Sequence, residues 1–208
     1  MKKKPVQQRS QAMVANIVNA TYEAVTRYGI EGLTTAKVAE LADVSIGSLY
    51  QYFRNKQELI AALIEHNTEQ MIHDLQQIVT ANPHASLDDI LNRALRHGFQ
   101  LFREDKVCFE IVKNWLSLPV QEAIDLIYDA GTEFGRIFFL QHAQDYPLTD
   151  LHVKSFIIIN STLFTMIRYM NNRHKLISEE QMIDGLQQMI ISYIQSSAQQ
   201  SMDIAKQP

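Results

Sequence analysis

Residues Thr34–Lys56, TTAKVAELADVSIGSLYQYFRNK, carry the pattern of two short helices joined by a tight turn. The Thr34 hydroxyl can cap a helix starting at Thr35, because a Ser or Thr oxygen accepts one of the backbone N–H groups left free in a first turn. Val38, Ala39, Leu41 and Ala42 then share one apolar face at helical spacing. Ala39 is small, which suits two helices crossing closely near a right angle. Asp43 and Val44 make the turn, without the glycine often found in such a place. Ser45 supplies a second cap, for a helix predicted over 46–52. Leu49 and Phe53 lie four residues apart and point inward with Val44. That leaves Ser45, Gly47, Ser48, Gln51 and Tyr52 facing outward, with Tyr50 at the edge. Asn55 and Glu58 form a capping box for the helix that follows.

The outward face is unlike an ordinary solvated one. Between Ile46 and Phe53 there is no Glu, Lys or Arg. Gly47 costs helix stability, roughly 1 kcal/mol relative to Ala. A glycine there lets backbone come close to a neighbour such as a phosphodiester strand. This is how the second helix of a helix-turn-helix meets the major groove of DNA. On periodicity alone, a helical hairpin inside an ordinary all-α domain remains the alternative.

The segment from Arg9 to Leu59, about a quarter of the chain, resembles the DNA-binding domain of the tetracycline-repressor (TetR) family of bacterial transcription regulators. The matching residues are Ile17 and Ala20 in a first helix, Tyr28-Gly29 at its end and Leu33-Thr34-Thr35 opening the second. Val38-Ala39, Val44-Ser45, Gly47, Leu49-Tyr50, Tyr52-Phe53 and Lys56 follow, without gaps. Tyr52 stands where histidine is frequent in the family and Ser48 where threonine is. Both keep a hydrogen-bonding group, so the capacity to bind stands, while the operator sequence is not readable from these residues. The resemblance implies that Ile46, Gly47, Gln51 and Tyr52 meet base edges, while Thr35, Ser48, Tyr50 and Lys56 hold phosphates. Lys2–Lys4 either trail as a solvated tail or reach along the DNA.

Composition bounds the rest. The 208 residues carry a net charge of −4, unevenly spread. Residues 1–60 hold eight Lys/Arg against five acids, and the remainder holds 11 against 18. The basic footprint therefore sits with the helix-turn-helix. No apolar run approaches the ~18 residues of a membrane span, and the basic N-terminus leads into no apolar signal core. A single cysteine, Cys108, excludes an internal disulfide and fits a reducing cytoplasm.

Nothing beyond residue 60 has strand periodicity. Helices are predicted over 7–28, ended by Gly29, and over 56–80, stopping before Asn82-Pro83. Ser86 boxes a helix to about Arg103, and a shorter one spans 106–116. Pro119 opens one to about Gln144, and Pro147 breaks it. Thr149 or Asp150 starts one to about Asn172. Ser178 and Gln181 box the last, to about Ser197. The expected fold is all-α with about nine helices. A three-helix DNA-binding domain, 1–58, would precede a helical ligand-binding and dimerisation domain, 59–208.

The helix around Phe156–Met170 is apolar nearly all round, so it needs partners on two sides. One is its own domain, and the other is either a second subunit or the rest of a monomeric bundle. The last helix repeats the pattern with Met182, Ile183, Leu186, Met189, Ile190, Tyr193 and Ile194. The resemblance implies a homodimer through these last two long helices, reading a palindromic operator in double-stranded DNA. Phe99, Phe102, Phe109, Trp115, Tyr128, Phe134, Phe138 and Phe139 are mostly core residues by spacing. As a set they could wall an apolar cavity, with His97, Asn114, Tyr128 and Asn160 orienting a ligand. The resemblance implies such a pocket and a small, largely apolar effector. The candidate lining residues are His97, Phe102, Asn114, Trp115, Tyr128, Phe134 and Asn160.

Other chemistries lack their residues. His66 and His73 share a helix face but stand about 10 Å apart, too far to hold one ion together. No HExxH, P-loop, dinucleotide fingerprint or GxSxG occurs. Cys108, between Val107 and Phe109, fits a buried small hydrophobe. No catalytic residue, cofactor or metal is expected. The expectation is a cytoplasmic, ligand-responsive repressor. A helical enzyme would need a convergent catalytic cluster. A sequence-blind architectural DNA protein would need a basic surface throughout.

Overall fold

A computed structural model of the chain describes residues 5–81, 84–141, 150–171 and 176–204. Expectations that rest on Lys2–Lys4, Asn82-Pro83, Gln144, Pro147, Thr149 and Asn172 lie outside the described residues. Among the described residues there are nine α-helices and no strand, as the periodicity predicts. No helix among them is long and apolar enough to cross a membrane. The chain divides into two compact units, Met1–Glu69 with Phe102–Ala123, and Gln70–Leu101 with Ile124–Pro208.

The first unit holds α1 (Pro5–Gly32), α2 (Thr35–Leu41), α3 (Ile46–Tyr50), the start of α4 (Lys56–Thr80) and α6 (Lys106–Lys113). Gly29 breaks α1 with φ 69° and ψ 170°, a backbone that side chains with a Cβ resist, so the regular helix stops at Tyr28. Thr34 and Ser45 cap α2 and α3 as expected, accepting the N–H of Lys37 at 3.3 Å and of Ser48 at 3.0 Å. Asp43 takes the place of the missing turn glycine with φ 53°, a left-handed conformation that Asp tolerates better than most residues. Val44 N–H then donates to Ala39 C=O at 3.0 Å, and Asn16 donates to Ala42 C=O at 2.8 Å, tying the turn to α1. Ile17, Val25, Leu33, Val38, Leu49, Leu59, Leu63 and Val107 form the core beneath it. Truncating any of the large ones to Ala would cost about 2–5 kcal/mol.

Asn55 caps α4 through Glu58 N–H at 2.9 Å. Glu58 reaches back one residue further than a standard box, to Arg54 N–H at 2.7 Å. A short 3-10 turn, Trp115–Ser117, follows α6.

The second unit holds the rest of α4, most of α5 (Leu87–Glu104), α7 (Gln121–Gln141), α8 (Leu151–Met170) and α9 (Glu179–Ile204). Ser178 and Gln181 form the expected box, exchanging bonds at 2.8 and 3.2 Å, while Ser86 caps α5 by accepting Asp89 N–H at 3.1 Å and donates its hydroxyl to the Asp89 carboxylate at 2.8 Å. Phe99 and Tyr169 meet edge-to-face at 5.6 Å, and Leu163, Ile167, Ile183 and Leu186 are buried in the same unit. Gly131 of α7 lies so close to α8 that an added Cβ would come within 2.6 Å of Ile159.

Candidate nucleic-acid interface

The surface of α3 is built from small and uncharged groups. Ser45, Ile46, Gly47, Tyr50 and Gln51 are exposed, and Ser48 is half-buried with its hydroxyl 2.8 Å from that of Ser45. A Cβ at Gly47 would meet nothing nearer than Ser45 Oγ, at 3.9 Å. Nothing inside the protein therefore requires glycine there, and the missing side chain matters only to something approaching from outside.

Tyr52 departs from the expected outward face. The helix ends at Tyr50, and Gln51 and Tyr52 enter a turn that rotates Tyr52 back against the core. Its ring is half-buried, whereas Tyr50, expected at the edge, is 49% exposed. Helical spacing alone assigned these two tyrosines, and it fails where the helix stops.

The remaining candidates gather beside α3. Thr35 Oγ1 lies 3.1 Å from the Tyr50 hydroxyl, joining the start of α2 to the end of α3. Lys56 donates to Glu31 C=O at 3.2 Å. Lys37 donates to Gly32 C=O at 2.8 Å and stands 4.1 Å over the ring of Tyr28. Two ammonium groups are thus anchored on adjacent carbonyls, where α1 gives way to α2. Lys56 is also the first residue of α4, where backbone N–H groups favour an anion. Lys37 and Tyr28 were not singled out from sequence as interface residues. Their sequence signals are a lysine two residues after Thr35 and the place of Tyr28 at the end of the first helix.

Behind this surface α6 grips α1 with two carboxylates. Asp105 caps α6 by accepting Cys108 N–H at 2.8 Å, and its other oxygen accepts the Tyr22 hydroxyl at 2.6 Å. Glu110 accepts Ile30 N–H at 3.2 Å, just past the break at Gly29. Burial, then the Asp105 carboxylate, pushes the Cys108 thiol up to about 12, and the same causes raise Tyr22 to about 12.

The candidate ligand residues divide between the two units. Phe102, Asn114 and Trp115 belong to the first unit, where Phe102 is buried, Asn114 donates to Glu110 C=O at 2.8 Å and Trp115 packs on the core. In the second unit, His97 Nε2 lies 3.4 Å from Asp74, Tyr128 meets Phe156 edge-on at 6.0 Å, and Asn160 donates to Phe156 C=O at 2.8 Å. Only Phe134 lines the cavity found there, of about 170 Å³. Its wall is mostly aliphatic, with Leu87, Leu91, Ile158, Ile190 and Ile194, and it carries one charged residue, Lys154. Aliphatic residues at helical spacing cannot be told from core in sequence. Among the described residues no cluster of His, Cys, Asp or Glu could hold a metal ion.

Residues 17–63 match the tetR family of bacterial regulatory proteins. The HTH-type transcriptional regulator BetI of Burkholderia cenocepacia (strain HI2424) is 28% identical over 111 residues, covering 53% of this chain and 55% of that protein. The chain thus matches about half the length of such curated relatives. A TetR-family transcriptional regulator from Pectobacterium atrosepticum has a similar fold, with a TM-score of 0.72 at 14% identity over 92% of this chain and 97% of the other. RolR in complex with resorcinol gives a TM-score of 0.69 at 17% identity over 98% and 97%. At such identities these two are likenesses of fold.

Proposed function

We propose, for a chain that belongs to the tetR family of bacterial regulatory proteins through residues 17–63, that it is a cytoplasmic homodimeric repressor released from a palindromic operator by a small molecule. The observation that carries this reading is the α3 surface. It is uncharged, it has open space over Gly47, and the Thr35–Tyr50 hydroxyl pair and two anchored lysines stand beside it. Ile46, Gly47 and Gln51 face bases. Thr35, Ser48, Tyr50 and Lys56 hold phosphates, joined by Lys37. Tyr52 acts from the edge of the contact rather than its centre. Residues 1–58 are the DNA-binding domain and 59–208 the ligand-binding and dimerisation domain.

Dimerisation is supported by an apolar stripe on α8. Val153 is 55% exposed and Phe156 58%, and Ile157 and Phe164 continue the same face at helical spacing. Met189 of α9 is exposed as well. Apolar groups in such a row mark an interaction site. Two recognition helices related by a two-fold axis would read half-sites ~34–36 Å apart.

Control runs through helices that the two units share along the chain. α4 starts beside the DNA-binding face and continues into the second unit, and α5 returns to α6. α6 then holds α1 through Asp105 and Glu110. A ligand in the second unit needs to shift the spacing of the recognition helices by little. Typical coupling of ~1–3 kcal/mol changes affinity by roughly 5–150-fold. The resorcinol complex of the fold relative RolR supports a small organic effector. A gel shift comparing random duplexes with selected ones tests the reading. A repressor prefers the selected duplex strongly, whereas equal binding to both contradicts it.

A further inference from the structure

We infer that the cavity of the second unit takes a small organic carboxylate, its apolar body among the aliphatic walls and its charge against the Lys154 ammonium. This deepens the proposed effector site and rests on that reading of the C-terminal domain.

The cavity lies between α4, α5, α7, α8 and α9, and its wall is apolar apart from Lys154 and Ser155. Lys154 is 4% exposed, and its Nζ is buried with no hydrogen-bond partner among the described residues. Buried lysines are almost always paired, because an ammonium taken from water without a counter-charge is expensive to keep. Among the described residues, no acidic one lines the cavity. An anion brought by a ligand supplies the missing partner.

Helix stability does not explain the lysine. It sits in the second turn of α8, near the end where the helix dipole disfavours a cation. Asp150, the N-cap residue, is left-handed and accepts no N–H with its side chain. The first turn of α8, whose Leu151 also lines the cavity, is the electropositive end of that helix and favours an anion. Ser155, buried beside Lys154, offers a hydroxyl. One ammonium balances a monoanion, which favours a carboxylate over a phosphate dianion.

Size bounds the body. The cavity measures about 170 Å³. An engineered apolar cavity of about 150 Å³ holds benzene. A chain of six to eight carbons or a single aromatic ring fits this space.

The test is calorimetric titration of the full-length protein with sodium octanoate, sodium phenylacetate and 1-octanol. At least one carboxylate should bind more tightly than the alcohol by on the order of 10- to 100-fold, the range of a charge-assisted contact. Lys154→Met should remove that preference while leaving 1-octanol binding unchanged, and Lys154→Arg should restore part of it. Alcohol binding as tight as carboxylate binding in the wild type overturns the inference. So does a carboxylate preference that survives Lys154→Met. Should Lys154→Met fail to fold, the wild-type comparison decides alone. Operator affinity measured with each compound separates this claim from the one beneath it. Lys154-dependent binding without operator release upholds the site and refutes the switch. Intact operator binding with no carboxylate preference refutes the site and leaves the repressor reading standing.

Discussion

The hydroxyls of Thr35 and Tyr50 lie 3.1 Å apart, bridging the first residue of α2 and the last of α3. Residues fifteen apart in the chain thereby present one polar edge beside the recognition face. Thr35→Val and Tyr50→Phe should each weaken operator binding, and the double variant should lose less than the sum. A coupling of at least ~0.5 kcal/mol in a double-mutant cycle is expected. Strict additivity would mean the two hydroxyls act separately on DNA.

Lys56 and Gln51 should differ in kind. Lys56→Ala should weaken all duplexes similarly and reduce the slope of log affinity against log salt by about 0.9, one phosphate's worth. Its bond to Glu31 C=O is exposed, so little stability should be lost with it. Gln51→Ala should instead relax sequence preference. Filter-binding titrations across salt on matched and mismatched duplexes measure both effects.

Much of this was legible in sequence because it is local. Caps at Thr34, Ser45, Asn55, Ser86 and Ser178 announce helix starts by hydroxyl or amide chemistry within four residues, and each is present as expected. Gly29 announced the end of a helix for the same reason. What failed to show was long-range. The bond from Tyr22 to Asp105 spans 83 residues, and nothing in either neighbourhood marks the other. Tyr52 was misplaced because α3 stops two residues early. The cavity was invisible because its wall is mostly ordinary Leu, Ile and Val, and of the candidate aromatic residues only Phe134 lines it. Lys154, a charge leading into an apolar stretch, was the available clue.

Alkaline pH should destabilise the protein through Cys108 and Tyr22. Both are held protonated up to about 12 in the fold, against ordinary values of 9.0 and 10.0. The sign follows from linkage. Below pH 9 both states keep these protons; between about 9 and 12 the unfolded chain releases them and the folded one does not, so stability falls as pH rises. Urea midpoints should therefore drop across that window. Cys108→Ala and Tyr22→Phe should each flatten the decline, Tyr22→Phe at some cost in stability at neutral pH. The native thiol should also resist iodoacetamide at pH 8 and react once the protein is unfolded.

The apolar stripe on α8 should close on a second copy. The wild type should sediment as a dimer at micromolar concentration without DNA. Val153→Asp and Phe164→Asp place charges on exposed positions, so each chain should keep its helix content by circular dichroism. Both should shift to monomers and lose operator binding. A well-folded wild-type monomer under these conditions would remove the basis for a two-helix readout.

Selection of duplexes from a random-sequence pool by the purified protein tests the central claim most directly, since it asks whether α3 reads sequence and whether two copies read it together. The expected product is one enriched palindrome, its half-sites centred about one helical turn of ~10–10.5 bp apart or a multiple of it. Enrichment should vanish for Gln51→Ala at the positions that Gln51 contacts. A pool that stays random after repeated rounds, or that converges on a single half-site with no symmetric partner, would contradict the account.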